Sequence, residues 1–289
     1  MARTSPPDLT DPVVLRSVMR RAGLRLDQRR GQHFLMDRAV LQRTVEALQL
    51  PPGAAVLEIG CGAGTLTVEL AAAAARVVAV DVDPACVRAA SEVTRAAEHV
   101  TVLERDARTL EPAALDLTPP WWAAGNLPYQ LTGILLGHLF ERHDPPAVGV
   151  FLLQREVAAR LAATAGDWSL ATVAIRSLAE VERLLDVPPD AFLPPPAVHS
   201  SLVRMRPSAR IDPALRPAVL RLARAVFQQR RKTLRHGMTH ALGDEAAAQE
   251  ALRVAGVDSL RRPGTLRLDE WETLTRAVAT VTEGPIDSP

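Results

Sequence analysis

The chain of 289 residues is long enough for one large domain and a second, smaller one, and 47% of its residues are hydrophobic. The formal net charge is +1 at pH 7, no run reaches the roughly eighteen apolar residues of a membrane span, and the N-terminal residues lack a signal-peptide pattern. Its two cysteines, Cys61 and Cys86, are too few for a disulfide framework and lack metal-binding spacing, so the sequence predicts a cytoplasmic protein without a metal site.

The small net charge hides a segregation along the chain. Residues 1–43 contain nine arginines and four acidic residues, whereas residues 44–203 contain ten arginines and nineteen acidic residues. Residues 204–235 contain ten basic residues and a single acidic one, Asp212. Basic segments on both sides of an acidic middle indicate a polyanionic partner on one face, although two solvated helices with basic outer faces would give the same pattern.

The predicted elements alternate between strands and helices as far as residue 160. A first helix begins at Asp11-Pro12, because aspartate is a good N-cap and proline suits the first helical position. Five apolar runs with helices between them are predicted as strands: AAVLEIG, RVVAVDV, VTVLERD, WWAAGN and AVGVFLLQ. This alternation predicts an α/β fold with a parallel, doubly wound sheet, whose ligands bind at the carboxyl ends of the strands.

The composition changes in the last third of the chain. VPPDAFLPPPAVHSSLVRMRP is predicted as a proline-dense loop, and three helical stretches follow it, the first of them PALRPAVLRLARAVFQQRRKTLRHGM. We therefore predict a helical extension over 1–30, a Rossmann-like α/β domain over 31–205, a small all-helical domain over 206–280 and a loose tail over 281–289.

A glycine-rich turn follows the first predicted strand, in VLEIGCGAG. Gly60, Gly62 and Gly64 let the backbone approach a nucleotide-like ligand closely. Asp81 ends the next strand, about twenty residues on, where a ribose-binding carboxylate is expected, and Asp106 ends the third. The spacing resembles that of the S-adenosylmethionine-dependent methyltransferases more than that of nicotinamide enzymes, and an ordinary strand-to-helix turn with exposed acids is the alternative.

The stretch GNLPYQ ends the fourth predicted strand without a nucleophile or a general base beside it. An adenine amine needs no base beforehand, because acceptors that hold its N–H groups direct the nitrogen lone pair at a methyl donor. Asn126 Oδ1 is one candidate acceptor, and the carbonyl of Leu127 is another because Pro128 restricts the residue before it. Tyr129 offers a ring face for an extruded base. The alternative is a structural turn with a capping Asn and a core Tyr.

With GQHFL, VLEIGCGAG, NLPY, AFLPPPAVHSSLV and FQQRRKTLR in this order, the chain resembles the ribosomal RNA adenine dimethyltransferases, and most of all their small-subunit type. The resemblance implies methyl transfer from S-adenosylmethionine to N6 of two adjacent adenines near the 3′ end of 16S rRNA in the small ribosomal subunit. It also implies a class I methyltransferase domain and a monomeric protein.

The resemblance further implies roles for individual residues. Cofactor contacts fall on His33, Leu35, Gly60, Gly62, Asp81, Asp106 and Asn126. The reaction centre is implied at Asn126, Leu127, Pro128, Tyr129 and Phe192, with the last two facing the target base. An RNA-backbone contact is predicted at Arg230, Arg231, Lys232 and Arg235, with Arg231 and Arg235 on one helix face.

Several positions depart from the family pattern. His33 stands where asparagine is common, and Asp81 where glutamate is usual. Ala197 and His199 replace a Lys and an Asp, and Trp168-Ser169 replace Tyr-Gly, which puts local loop contacts in doubt. The alternatives are a resistance-type methyltransferase of large-subunit rRNA and a non-catalytic assembly factor with the same fold.

Overall fold

The computed structural model describes residues 6–26, 32–208 and 210–283. The chain forms two compact units, the first from the residues up to 158 together with 181–207, and the second from 159–180 together with the residues from 208 onward. The predicted division at residues 30, 205 and 280 stays a prediction. It differs from the compact units because residues 159–180 group with the C-terminal helices, and residues 27–31 and 284–289 lie outside the described residues.

The first unit is built on a seven-stranded sheet with the order β4-β3-β2-β5-β6-β9-β7. Its strands are β2 (Ala55–Ile59), β3 (Arg76–Asp81), β4 (Val100–Glu104), β5 (Trp122–Asn126), β6 (Val148–Gln154), β7 (Ala179–Val187) and β9 (Ser200–Pro207). The pairs β2–β3, β3–β4, β2–β5 and β5–β6 are parallel, so the five predicted strands form the doubly wound sheet that the sequence indicates. The α/β fold class is confirmed.

Two strands of the sheet were not predicted. β7 lies in a stretch to which the sequence analysis assigns no element, and β9 lies in the predicted loop. β9 pairs antiparallel with β6, so the sheet is mixed rather than purely parallel. The expectation of a proline-dense loop up to residue 207 was therefore wrong for its second half. In β9 the residues from Ser200 to Val203 are buried, and pairing with β6 gives their backbone polar groups the hydrogen-bond partners that burial requires.

Among the described residues, six α-helices follow or precede the strands of the first unit, and three of them begin at an aspartate cap. They are α1 (Pro12–Arg21), α2 (Arg38–Leu48), α3 (Thr65–Ala73), α4 (Pro84–Val93), α5 (Thr132–Phe140) and α6 (Arg155–Ala162). The side chains of Asp11, Asp37 and Asp83 accept hydrogen bonds from the first free amides of α1, α2 and α4. Within the first unit, α1 packs on α4, and α2 and α3 contribute to the apolar core against the sheet.

A short two-stranded ladder positions the segment around His33. β1 (Phe34–Leu35) pairs antiparallel with β8 (Phe192–Leu193), so Phe34 lies opposite Leu193 and Leu35 opposite Phe192. The amide of Met36 also donates to the carbonyl of Ala191. The segment around His33 is thereby anchored beside the glycine turn.

The second unit contains α7 (Leu170–Arg176), α8 (Arg216–Phe227), α9 (Leu234–Leu242), α10 (Glu245–Val254) and α11 (Leu268–Glu283), packed around Trp271. The continuous helix predicted through FQQRRKTLRHG was wrong, because α8 ends at Phe227 and α9 begins at Leu234. The first amides of α9 donate instead to the carbonyls of Arg261 and Ser259 in a distant loop. No helix among the described residues is long and apolar enough to cross a membrane.

The Trp168-Ser169 departure from the family pattern has a structural explanation. Trp168 is 8% exposed and packs in the core of the second unit, where its indole N–H donates to the carbonyl of Ala163. Ser169 caps α7 and forms a reciprocal capping box with Thr172. Both residues therefore stabilise the helical unit locally.

Candidate active site

A cleft lies at the carboxyl ends of the parallel strands, as expected for an open α/β sheet. It brings together eight of the predicted site residues: His33, Leu35, Gly60, Gly62, Asp81, Asp106, Asn126 and Pro128. The chain positions of these residues are far apart. Gly60, Asp81, Asp106 and Asn126 meet because each lies at or just beyond the carboxyl end of a parallel strand, whereas Leu35 belongs to the β1–β8 ladder and His33 comes directly before it. Among the described residues no cluster of His, Cys, Asp and Glu could hold a metal ion.

The glycine turn between β2 and α3 has the backbone geometry that glycine allows. Gly60 and Gly62 have φ of 74° and 54°, in the left-handed region that side chains rarely adopt. The Gly62 amide donates to Asp81 Oδ2 at 3.0 Å, and the Asp83 amide donates to Asp81 Oδ1 at 2.9 Å. The turn and the end of β3 are thus locked together, and the Asp81 carboxylate is held in place for a ligand.

Two acids give the base of the cleft its electrostatic character. Glu58 is 1% exposed, and its Oε2 has no hydrogen-bond partner among the described residues. Burial raises the pKa of Glu58 to about 8, and the negative charge of Asp81 adds to the shift. Burial also raises the pKa of Asp81. Both shifts favour the neutral form of the carboxyl group, and a positively charged ligand bound beside either acid would favour its ionised form instead.

Asp106 lies beyond the end of β4 in an ion pair with Arg108, two residues along the same loop. The Arg108 guanidinium Nη2 donates to Asp106 Oδ2 at 2.6 Å. Hydrogen bonds from the Arg108 side chain, and then from its amide, lower the pKa of Asp106. The carboxylate therefore stays ionised at the rim of the cleft.

The Asn126 amide at the end of β5 is oriented by the backbone. Its Nδ2 donates to the carbonyl of His33 at 2.7 Å, which leaves Oδ1 as the acceptor that the cleft can use. The preceding Gly125 allows a close approach of two strands, because a Cβ there would lie 2.3 Å from the carbonyl oxygen of Ile59. The His33 ring is held in turn by Pro194, whose carbonyl oxygen is 2.8 Å from Nδ1.

The residues after Asn126 differ in how far they are exposed. Leu127 is buried, and among the described residues nothing donates to its carbonyl, whereas the Pro128 carbonyl accepts from the Leu131 amide at 2.9 Å. Tyr129 is half-buried next to the cleft, with its ring 6.4 Å from the His33 ring and inclined by 21°. Its hydroxyl is 2.7 Å from Oγ of the fully buried Ser200.

Phe192 is buried in the structure. Its side chain is 1% exposed and packs in the main core with neighbours such as Val187 and Leu202. In the β1–β8 ladder it lies opposite Leu35, which lines the cleft. That Phe192 faces the target base stays a prediction.

The predicted RNA contacts lie in the second unit. Arg230, Arg231 and Lys232 are exposed in the turn between α8 and α9, and none of them has an ion pair among the described residues. Arg235, in the first turn of α9, is paired with Glu245. The turn, rather than a helix face, presents the free cations.

Two residues of the site escaped the sequence analysis. Ser200 was not predicted as a site residue, and its position next to the Tyr129 hydroxyl depends on the antiparallel β6–β9 pairing. Arg108 lines the cleft and holds Asp106, which the short Asp-Ala-Arg spacing alone could have suggested.

Comparison with known proteins agrees with this geometry. The family model "Ribosomal RNA adenine dimethylase" matches residues 23–279. A protein named ribosomal RNA small subunit methyltransferase A from Anaeromyxobacter sp. (strain K) is 41% identical, over 91% of this chain and 97% of the relative. A protein of the same name from Dehalococcoides mccartyi is 34% identical over 95% of each chain.

Solved structures show the same fold. The 23S rRNA methyltransferase ErmE is 26% identical with a TM-score of 0.68, covering 86% of this chain and 100% of its own. A dimethyladenosine transferase from Plasmodium falciparum has a TM-score of 0.70 at 22% identity, covering 84% of this chain and 96% of its own. The chain therefore belongs to the ribosomal RNA adenine dimethylase family and is an S-adenosylmethionine-dependent rRNA adenine methyltransferase.

Proposed function

We propose that this protein dimethylates N6 of two adjacent adenines near the 3′ end of 16S rRNA, within the small ribosomal subunit and during its assembly in the cytoplasm. The relatives named as small-subunit methyltransferases support the choice of subunit. The observation that carries the chemistry is the orientation of Asn126, whose amide nitrogen is bound to the His33 carbonyl and whose oxygen remains free to accept.

The residues after β5 suit an amine with a delocalised lone pair. Asn126 Oδ1 and the Leu127 carbonyl are two acceptors for the two N–H groups of adenine N6, and they favour a pyramidal nitrogen. Bound S-adenosylmethionine supplies an electrophilic methyl group on a sulfonium sulfur. The protein holds the nitrogen in line with that methyl group, and such positioning contributes much of the rate. A proton leaves the nitrogen to solvent afterwards, so no strong base is required.

The base itself is held by Tyr129 in this proposal. The ring is half-buried beside the cleft, and stacking of a base on an aromatic face is worth about 1–3 kcal/mol. The contact of its hydroxyl with Ser200 fixes the plane of the ring. Burial raises the pKa of Tyr129, so the phenol remains neutral at physiological pH.

Acids at the ends of two neighbouring strands suit the nucleoside part of the cofactor. Gly60 and Gly62 let the backbone approach it closely, and Asp81 at the end of β3 accepts from ribose hydroxyls. Asp106 lies beyond the end of β4, the strand next to β3. If Asp81 binds the ribose, Asp106 is therefore the acid beside the adenine. A carboxylate only accepts, and the only N–H donor on the edge of adenine is its exocyclic amine, so Asp106 pairs with that amine. His33 and Leu35 close the methionine side.

RNA binding is assigned to the turn of the second unit. Arg230, Arg231 and Lys232 are exposed and form no ion pair within the part of the chain that the structure describes, which suits phosphate contacts. Arg235 contributes less in this proposal than its sequence position indicates, because Glu245 already neutralises it.

The function is tested with purified protein and small subunits from cells that lack it. After incubation with S-adenosylmethionine, primer extension should stop at two adjacent adenines near the 3′ end of 16S rRNA. The same reaction is run on large subunits, and stops in 23S rRNA there, with none in 16S rRNA, would support the resistance-type alternative that the likeness to ErmE suggests. The absence of any stop, with tight subunit binding, would support a non-catalytic assembly factor.

The RNA contact is tested by salt dependence. Replacing Arg231 and Lys232 by Ala should lower the slope of log K against log salt by about 0.7–0.9 for each lost phosphate contact. Arg253→Ala is the matched control, because Arg253 is an equally exposed arginine of the second unit that is paired with Glu250. Parallel slopes for the double variant and the wild type would show that the turn does not contact phosphate.

A further inference from the structure

The acid assigned to the cofactor's adenine is already occupied by a neighbouring side chain. Asp106 Oδ1 accepts from the Arg108 amide at 2.9 Å and from its Nε at 3.0 Å. Asp106 Oδ2 accepts from Nε at 3.0 Å and from Nη2 at 2.6 Å. A carboxylate offers about four lone-pair positions, and this arrangement engages both oxygens twice.

The Arg108 guanidinium lies where it can compete with a ligand for Asp106. Both Arg108 and Asp106 line the cleft. An adenine amine that donates to Asp106 must displace at least one of the N–H donors of Arg108. Replacing one donor by another returns less free energy than binding to a free carboxylate, since the first bond has to be broken.

We propose that Arg108 competes with the cofactor's adenine amine for Asp106, and so sets a ceiling on cofactor affinity. The inference rests on the proposed contact between Asp106 and adenine. It assigns to Arg108 a role in tuning affinity, so that the bound cofactor product leaves more readily than it would from a free carboxylate. Hydrogen bonds to Asp106 raise the pKa of Arg108, so the competing pair is charged at every physiological pH.

A nearby arginine provides a matched control. Arg105 also lines the cleft, but its guanidinium Nη1 donates to the carbonyl of Glu104 at 2.9 Å and has no ion pair with Asp106 among the described residues. Methionine at either position removes the charge and keeps an apolar stem of similar length. Arg105→Met therefore reproduces the change in net charge without freeing the carboxylate.

The experiment is calorimetric titration of the full-length protein with S-adenosylhomocysteine and with its 6-deamino analogue, in which unsubstituted purine replaces adenine and the exocyclic amine is replaced by hydrogen. Arg108→Met should bind S-adenosylhomocysteine about two- to fivefold more tightly than the wild type, the scale of an exposed ion pair. It should not bind the 6-deamino analogue more tightly, because that analogue has no N–H donor to compete for Asp106. Arg105→Met should show no gain for either ligand.

The opposite results are distinct. Unchanged or weaker binding of S-adenosylhomocysteine by Arg108→Met, at an unchanged melting temperature, would overturn the competition and make Arg108 a neutral or direct contact. Equal gains for both ligands would show a general charge effect. Asp106→Ala tests the proposed contact between Asp106 and adenine on which the inference rests. Normal binding of the cofactor product by this variant would refute that contact. The methylation assay on small subunits tests the proposed function separately.

Discussion

Replacing Asn126 by Ala is the most direct test of the reaction centre. The substitution removes Oδ1, the acceptor left free by the bond from Nδ2 to the His33 carbonyl. Loss of one well-placed polar contact to a transition state costs about 2.7–4 kcal/mol of barrier, which corresponds to a fall in kcat of about 10²–10³-fold. The effect on cofactor affinity should be modest, because Gly60, Asp81 and Asp106 remain.

The same substitution has a calculable cost in stability. The His33 carbonyl loses its donor, and a typical hydrogen bond contributes about 0.5–1.5 kcal/mol to the free energy of unfolding. A lower melting temperature is therefore expected and must be separated from the catalytic loss. Asn126→Asp keeps an oxygen acceptor but places a second oxygen against the His33 carbonyl, so it should retain more activity than Ala while losing the same bond.

The assay is single-turnover methylation of unmethylated small subunits with labelled S-adenosylmethionine, at a temperature where each variant is folded. Cofactor binding is measured in parallel by calorimetry. Gln130→Ala is the control, because Gln130 is an exposed amide four residues further along the same segment and should behave like the wild type. Near-normal single-turnover rates for Asn126→Ala would refute Asn126 as the acceptor for N6.

Three further predictions follow from individual contacts. Tyr129→Phe should keep most activity, whereas Tyr129→Ala should lose about 1–3 kcal/mol of stacking. In a double-mutant cycle measured in kcat and KM, Ser200→Ala should add nothing to Tyr129→Phe. Equal losses in the Phe and Ala variants would show that the hydroxyl matters more than the ring. The folded-state pKa of Glu58, about 8, exceeds its ordinary value of 4.5, so the folded state binds a proton that the unfolded state has lost, and stability falls as pH rises through this window. Glu58→Gln should therefore make the melting temperature depend less on pH in this range. Parallel plots of melting temperature against pH for the variant and the wild type would contradict the raised pKa. Gly125→Ala should destabilise by about 1–3 kcal/mol or more because its Cβ would clash with the β2 backbone, whereas Gly133→Ala, with open space around it, should not, and equal melting temperatures would argue against this packing.

Much of the site was predictable because of the way parallel sheets are built. Strand ends collect at one edge, so Asp81, Asp106 and Asn126 could be placed in one cleft from the strand pattern alone. The positive φ of Gly60 and Gly62 follows from the need for a tight turn before α3. These inferences depend on local sequence and on a general topological rule.

Features that depend on distant partners were not predictable in the same way. β7 carries charged residues on its exposed positions, and β9 follows a run of prolines, so neither shows the apolar run of a central strand. The break between α8 and α9 depends on carbonyls at Ser259 and Arg261, which no local pattern in FQQRRKTLR reveals. The family motif identified Phe192 by type, but burial against the core decides whether its ring is available.

The pairing of charged residues was not predictable either, in the cleft or in the RNA segment. Counting residues places Asp106 among the acids of the cleft and Arg235 among the cations of the RNA segment. The structure pairs the first with Arg108 and the second with Glu245, each across a short distance. What a ligand meets is therefore decided by which charged side chains the fold leaves without an opposite partner. Among the described residues Arg230, Arg231 and Lys232 form no ion pair, so the count of cations in the RNA segment overstates the number available to phosphate by the paired Arg235.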